Sequence, residues 1–289
     1  MIPLSFAQRR LWFLGRFGDA GSAYNMPLVI RLKGVLDETA LAAALGDVVD
    51  RHEVLRTLIG EEDGEPFQDV RPVGGPVPFE MLACSEEELP GRLARACRYV
   101  FDLAAVIPLR VTLFRVGEGE WVLLVLMHHI ASDGWSTAPF LRDLGQAYTA
   151  RLHGDAAPGW EELPIQYADY TLWQQDLLGD PADPESLFAQ QLEYWKQNLA
   201  GAPEELTLPA DRPRPVEPSH HGELAAFEVD ADTHARLAAL ARSTNTSMFM
   251  VFQAAIAATL TRLGAGNDIP IGIPIAGRTD DALDDLVGF

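Results

Sequence analysis

The chain has 289 residues, 48% hydrophobic and 22% charged, a globular composition with enough length for one large or two moderate domains. Its 22 basic and 42 acidic side chains leave a formal charge of −20, which repels phosphate backbones and anionic bilayers and argues against nucleic acid or a membrane as partner. Two cysteines, Cys84 and Cys97, are too few for a disulfide framework or a thiolate metal site, and they fit a reducing cytoplasm.

Residues 1–10 lack the basic-then-apolar pattern of a signal peptide, and no apolar run approaches the roughly 18 residues that cross a bilayer, so a soluble cytoplasmic protein is expected. Ser5 and Gln8 have the form of a capping box. Leu11, Trp12, Leu14 and Phe17 follow at helical spacing, and an amphipathic helix opens the chain. Residues 28–32 read as a strand, Asp37 caps a helix running to about His52, and residues 55–59 begin a β segment. Glycines and prolines between 64 and 78 break the next stretch into short extended pieces before a helix at 85–98. Strands at 108–116 and 121–130 flank the polar turn Gly117-Glu118-Gly119-Glu120 and predict a hairpin. The second of them is apolar on both faces, the mark of a central strand covered on both sides.

Asp133 and Gly134 end that strand and begin a helix to about Leu152, followed by helices at 167–178 and 185–199. Trp12, Trp135, Trp173 and Trp195 all fall in predicted helices and read as core or packing residues. Residues 201–222 carry prolines at 203, 209, 213, 215 and 218, which mark a crossing between lobes; His220 and His221 within it are assigned to solvent or interlobe contacts. A strand at 224–229, helices at 233–242 and 247–263 and a strand at 269–275 complete the pattern. The final Leu-Val-Gly-Phe has neither cap nor polar tail and is expected to lie inside a longer chain.

The sharpest local feature is Met127-His128-His129-Ile130-Ala131-Ser132-Asp133-Gly134-Trp135-Ser136, two imidazoles at the end of a buried strand and an acid before the next helix. Successive strand side chains point to opposite faces, so His128 and His129 cannot share one metal, and no metal is expected. One imidazole is left to act as base or orienter and the other to a structural hydrogen bond. Two readings of the segment stand side by side: a catalytic histidine, or two satisfied structural histidines with Asp133 as a plain helix cap. No G-x-S-x-G elbow or phosphate-cradling loop is present, so covalent catalysis has no candidate nucleophile. Arg51 and Arg56 flank a helix end, where cations complement terminal carbonyls; structure is their first reading and substrate contact the second.

This segment resembles the HHxxxDG signature of nonribosomal peptide synthetase condensation domains, within the chloramphenicol-acetyltransferase-like superfamily. Residues 5–14 resemble that family's opening motif, 51–57 its second, 167–173 its fourth and 271–278 the start of its fifth. The resemblance implies an α/β (α+β), two-lobed fold. The first lobe would be complete at 1–200, the crossing would span 201–222, and a partial second lobe would occupy 223–289, truncated at its C-terminus and exposing apolar surface.

The resemblance also implies that His129 faces the reaction centre, that His128 and Asp133 support it, and that Arg278 pairs with Asp133. A buried unpaired aspartate would cost several kcal/mol. Gly134 fits a position where a reacting group or backbone comes close, with simple helix-start geometry as the alternative. Trp135 and Ser136 are further supporting candidates. The implied partners are donor and acceptor carrier proteins, whose phosphopantetheine arms deliver thioesters, and a neighbouring adenylation domain; no cofactor is bound permanently.

The implied reaction is amide formation in antibiotic-type peptide biosynthesis, with His129 accepting a proton from the attacking amine or orienting it. Paired histidines in place of aspartates argue against a cyclisation relative, and Trp135-Ser136 points to joining of an L-configured donor to an L-configured acceptor. Two alternatives are a stand-alone acyltransferase of the same superfamily acting on a small amine or alcohol, and a noncatalytic fragment that binds carrier proteins.

Overall fold

The structure, a computed structural model, describes residues 1–17, 21–155, 157–216, 222 and 224–289; Pro218, His220 and His221 lie outside the described residues. It contains two compact units, Met1–Leu187 with Ala276–Phe289, and Phe188–Ile275.

The first unit is built on two sheets. In the larger, β2 (Asn25–Lys33), β7 (Glu120–His128), β6 (Leu109–Gly117) and β5 (Phe79–Ala83) lie side by side in that order, with only the β5–β6 pair parallel. The expected hairpin is β6–β7, closed around Glu118 and Gly119. Strand β7 lies between two partners, and every residue from Trp121 to His128 is buried. Its side chains alternate as a pleat demands. Trp121, Leu123, Val125 and Met127 enter the main core, while Val122 and Leu124 enter a second cluster with Phe114 and Leu89. Helix α3 (Leu89–Cys97) supplies that second layer, with Cys97 at its end and Cys84 packed against the same cluster, both free thiols.

The main core is closed by α2 (Glu38–Arg51) and α4 (Thr137–His153). Asp37 caps α2 through the Ala40 amide at 2.9 Å. A single 3-10 turn, Glu53–Arg56, then delays the next strand to β3 (Thr57–Glu62), two residues later than the sequence pattern predicts. The smaller sheet has the order β1 (Ile2–Pro3), β4 (Glu65–Val70), β3, all antiparallel. Its tight hairpin turns on Asp63 and Gly64, both in the left-handed region, as a two-residue primed turn requires. Helix α1 (Phe6–Phe17) opens on the expected capping box, with Ser5 and Gln8 exchanging two bonds of 3.1 Å. Helix α5 (Tyr167–Leu178) has a box of its own from Gln166 and Asp169.

The second unit holds α6 (Leu187–Asn198, from its second residue), α7 (Ala231–Ser243) and α8 (Met248–Arg262). Asp230 and Ser247 cap the last two. No residue of α8 is fully buried, and Phe249, Met250 and Ile256 are more than half exposed. The strands expected at 224–229 and 269–275 are not formed. Both segments find no hydrogen-bonded strand among the described residues, and a strand exists only as one side of a ladder. Of the four tryptophans read as core or packing residues, Trp12 packs against the core, while Trp135, Trp173 and Trp195 are 49%, 48% and 54% exposed, the last two against the Tyr170 and Tyr194 rings. Among the described residues no helix is long and apolar enough to cross a membrane.

Candidate active site

Strand β7 ends at His128, and the chain leaves the sheet through a loop that α4 resumes only at Thr137, three residues beyond the helix start expected at Gly134. His128 and His129 are still placed by the sheet, because their amides donate to the carbonyls of Pro108 (3.0 Å) and Tyr24 (2.8 Å). The alternation of the strand then separates their rings. His128 turns inward, 8% exposed, against Phe101 and Tyr24, and its Nδ1 accepts the Ile130 amide at 3.1 Å. Burial and the neighbouring His129 push its pKa down to about 4, so this ring is neutral with its proton on Nε2.

His129 is half-buried and takes the opposite tautomer. Its Nδ1 lies 2.7 Å from the Ser132 carbonyl, an acceptor only, so in the neutral ring Nδ1 carries the hydrogen and Nε2 keeps the lone pair. The Phe289 ring lies against it, centroids 4.4 Å apart and planes tilted by 54°. No shared metal arrangement joins the two histidines; among the described residues no three His, Cys, Asp or Glu side chains converge.

Asp133 does not cap α4. Its Oδ1 accepts from the Ser136 amide and is met by the Ser136 hydroxyl, both at 2.8 Å, closing a turn before the helix. Arg278 Nη2 stands 3.5 Å from the same oxygen, with both side chains largely buried. Arg278 Nη1 donates to the carbonyls of Leu283 and Leu286, so one guanidinium holds the acid and the 276–289 segment together. Ser136, fully buried, is the second tie. Its Oγ accepts the amides of Asp133 and Gly288, each at 3.1 Å, and lies 2.8 Å from the Gly288 carbonyl.

Gly134 is required by nothing inside the protein. A Cβ there would meet no atom within 4 Å, and its φ is not positive, so neither helix-start geometry nor packing demands glycine. Trp135 is exposed beside it.

Arg51 and Arg56 are built into structure elsewhere, and not as caps on their own helix. Arg51 Nε donates to Asp143 Oδ2 at 2.8 Å, its Nη1 to the Glu161 carbonyl at 2.7 Å, and its guanidinium lies 4.9 Å over Trp160. Arg56 reaches the Arg71 carbonyl and Glu53. Among the described residues no hydrogen bond or ion pair joins either arginine to His129 or Asp133.

Several supporting contacts escape sequence reasoning, even where the residue itself, Gln8 or Tyr167, lies in a motif. Gln8 Nε2 donates to the Ile130 carbonyl at 3.1 Å, tying α1 to the histidine loop. Tyr167 Oη, 2.8 Å from Ser5 Oγ, donates to the Phe289 carbonyl at 2.9 Å. Asp143 on α4 is 1% exposed and is bound by Arg51, His52 (2.9 Å) and Arg142 (3.0 Å). Burial alone would raise its pKa; the bonds from His52 and Arg142 outweigh that and hold it below the usual carboxylate range. Buried His52 is also held below its ordinary value, in its case by loss of solvent, which outweighs the opposing pull of Asp143.

The sequence profile of the family described as "Condensation domain" matches residues 1–289. Over its whole length the chain is 56% identical to the probable non-canonical nonribosomal peptide synthetase CymA of Salinispora arenicola and 54% identical to a dimodular nonribosomal peptide synthase of Bacillus subtilis. It spans 4% and 12% of those proteins. Among solved structures, the X-domain from teicoplanin biosynthesis superposes with a TM-score of 0.90 at 39% identity, covering 99% of this chain and 63% of that one. The first condensation domain of the calcium-dependent antibiotic synthetase shares the fold with a TM-score of 0.78 at 21% identity, covering 99% and 66%.

Proposed function

Because the chain belongs to the condensation-domain family, we propose that it forms an amide bond between two carrier-bound thioesters, with His129 at the reacting centre. The observation that carries this reading is the His129 tautomer. The Ser132 carbonyl fixes the hydrogen on Nδ1, which leaves Nε2 as a neutral base or orienter on the half-buried side of the loop. The acceptor's amine nitrogen attacks the donor carbonyl carbon. A C–N bond forms, the C–S bond breaks, and the amine proton passes by way of Nε2 to the departing thiolate.

A thioester is already activated, so placement of amine and carbonyl supplies much of the rate, on the order of 7 to 11 kcal/mol from effective molarity alone. Asp133, Ser136 and Arg278 hold the loop that holds His129. The space beside Gly134 is where a phosphopantetheine-borne group approaches. Donor and acceptor carrier proteins and an adenylation domain are the partners this reading assigns, within a cytoplasmic synthetase that joins L-configured residues. The lobes assigned to 1–200 and 223–289, with a crossing at 201–222, belong to the same reading.

The likeness to the X-domain, which has also been solved in complex with OxyB, favours a second reading as a module that binds a partner protein. A single-turnover assay with a loaded donor carrier and an aminoacyl acceptor carrier separates the two. Amide product on the acceptor carrier, lost in His129→Ala, supports the first; binding with no product overturns it.

A further inference from the structure

Residues 276–289 pack as part of the first unit, and three residues from outside the segment, Arg142, Ser136 and Tyr167, hold its residues 285–289, while Arg278 braces the segment internally. Arg278 gathers the Leu283 and Leu286 carbonyls, Arg142 pairs with Asp285, Ser136 binds both backbone groups of Gly288, and Tyr167 donates to the Phe289 carbonyl. What this strap delivers is one aromatic ring. Phe289 ends with its centroid 4.4 Å from that of His129.

We infer that Phe289 is a positioning residue for the reaction proposed above, and that Tyr167 is the catch that sets it. The bond from His129 Nδ1 to Ser132 fixes one point of the imidazole, and a ring pinned at one point can still rock. Phe289 packs beside it, with the ring planes tilted by 54°, and restricts that rocking, so it helps set the direction of the Nε2 lone pair. Tyr167 is 2% exposed. Its hydroxyl accepts from Ser5 and donates to Phe289, so its own orientation is set from the capping box of α1. Its ring also lies so close to Gly288 that a Cβ there would come within 2.2 Å of Tyr167 Cδ2. The backbone carrying Phe289 is therefore held by the phenol's edge and by its hydroxyl together.

The inference rests on His129 acting in amide formation, and the test keeps the two apart. In the full-length protein, single-turnover amide formation is measured for His129→Ala, Phe289→Leu, Phe289→Tyr, Tyr167→Phe and the Tyr167→Phe/Phe289→Leu pair, with carrier KM and thermal unfolding measured on each. Phe289→Leu is expected to slow the chemical step about 10- to 100-fold with carrier KM unchanged, and Phe289→Tyr to restore most of it. Tyr167→Phe is expected to slow it less. Because Tyr167 acts through Phe289, the double variant is expected to be no slower than Phe289→Leu alone. A wild-type rate in Phe289→Leu, or additive losses in the pair, overturns the inference even when His129→Ala is dead. An active His129→Ala overturns the function it rests on.

Discussion

His128 and His129, adjacent in the chain, turn the same ring atom to opposite uses: Nδ1 of His128 accepts the Ile130 amide, and Nδ1 of His129 donates to the Ser132 carbonyl. The first histidine therefore points its lone pair at its own backbone, and the second keeps its lone pair on Nε2. His129→Ala is expected to lower amide formation by about 10²- to 10⁴-fold, the range for losing a positioned acid or base, while the melting temperature stays near that of the parent. Single-turnover rates and thermal unfolding check both halves. A rate near the parent's would show that the ring does not serve the reaction, and a large drop in stability would show that it holds the loop as well.

The same relationship sets a pH dependence. His128 is held neutral down to about pH 4 in the folded chain, against an unfolded value near 6.5, and His52 is lowered too. Between those pH values the unfolded state binds more protons, so stability is fully present above roughly pH 6.5 and falls as the pH drops, by on the order of 3 kcal/mol from His128 alone at pH 4. Urea melts from pH 7 to 4 check the slope. His128→Asn, whose Oδ1 can take the place of Nδ1 toward Ile130, is expected to flatten it.

Asp133→Asn is expected to lower both stability and rate. Asparagine keeps an oxygen for the Ser136 amide and loses the charge that faces the buried Arg278, at a cost of about 1–3 kcal/mol. An unchanged melting temperature would remove the ion pair from the account of the loop.

Elements whose cause is local were legible from the sequence; elements whose cause is a distant partner were not. The capping box of Ser5 and Gln8, the cap at Asp37 and the two-sided burial of β7 follow from residues a few positions apart. The residues at 224–229 carry an apolar pattern like a strand's, yet that pattern says nothing of whether a partner exists, and none forms among the described residues. Asp143, between Arg142 and Leu144 on a helix, reads like any solvated charge until the fold brings Arg51 and His52 to it from 92 and 91 residues away. Gly288 and Phe289 carry no local signal of a role in the sequence. Their meaning depends on Ser136, 152 residues earlier, and on Tyr167.

That buried acid gives a prediction with a sharp contrast. Asp143→Ala leaves Arg51, Arg142 and His52 around an empty site and is expected to destabilise the protein by about 3–5 kcal/mol. Arg142 is 43% exposed, so Arg142→Ala, with Arg51 and His52 still on the carboxylate, is expected to cost much less. Equal losses in denaturant melts would mean that Arg142 is the true anchor of the carboxylate.

Two glycines of the site should respond oppositely to one methyl group. At Gly134 a Cβ meets no protein atom and φ is not positive, so Gly134→Ala is expected to leave the melting temperature unchanged. It should still slow amide formation, because the space it enters is the one assigned to incoming substrate. At Gly288 the added carbon would sit 2.2 Å from the Tyr167 ring, and the phenol is buried and bonded to Ser5, so it cannot swing aside. Gly288→Ala is therefore expected to destabilise by about 1–3 kcal/mol and to slow the reaction as well, since Phe289 moves with it. Thermal unfolding and single-turnover rates on the two variants decide the matter together. A stability loss at Gly134, or none at Gly288, would contradict the packing from which both roles are argued.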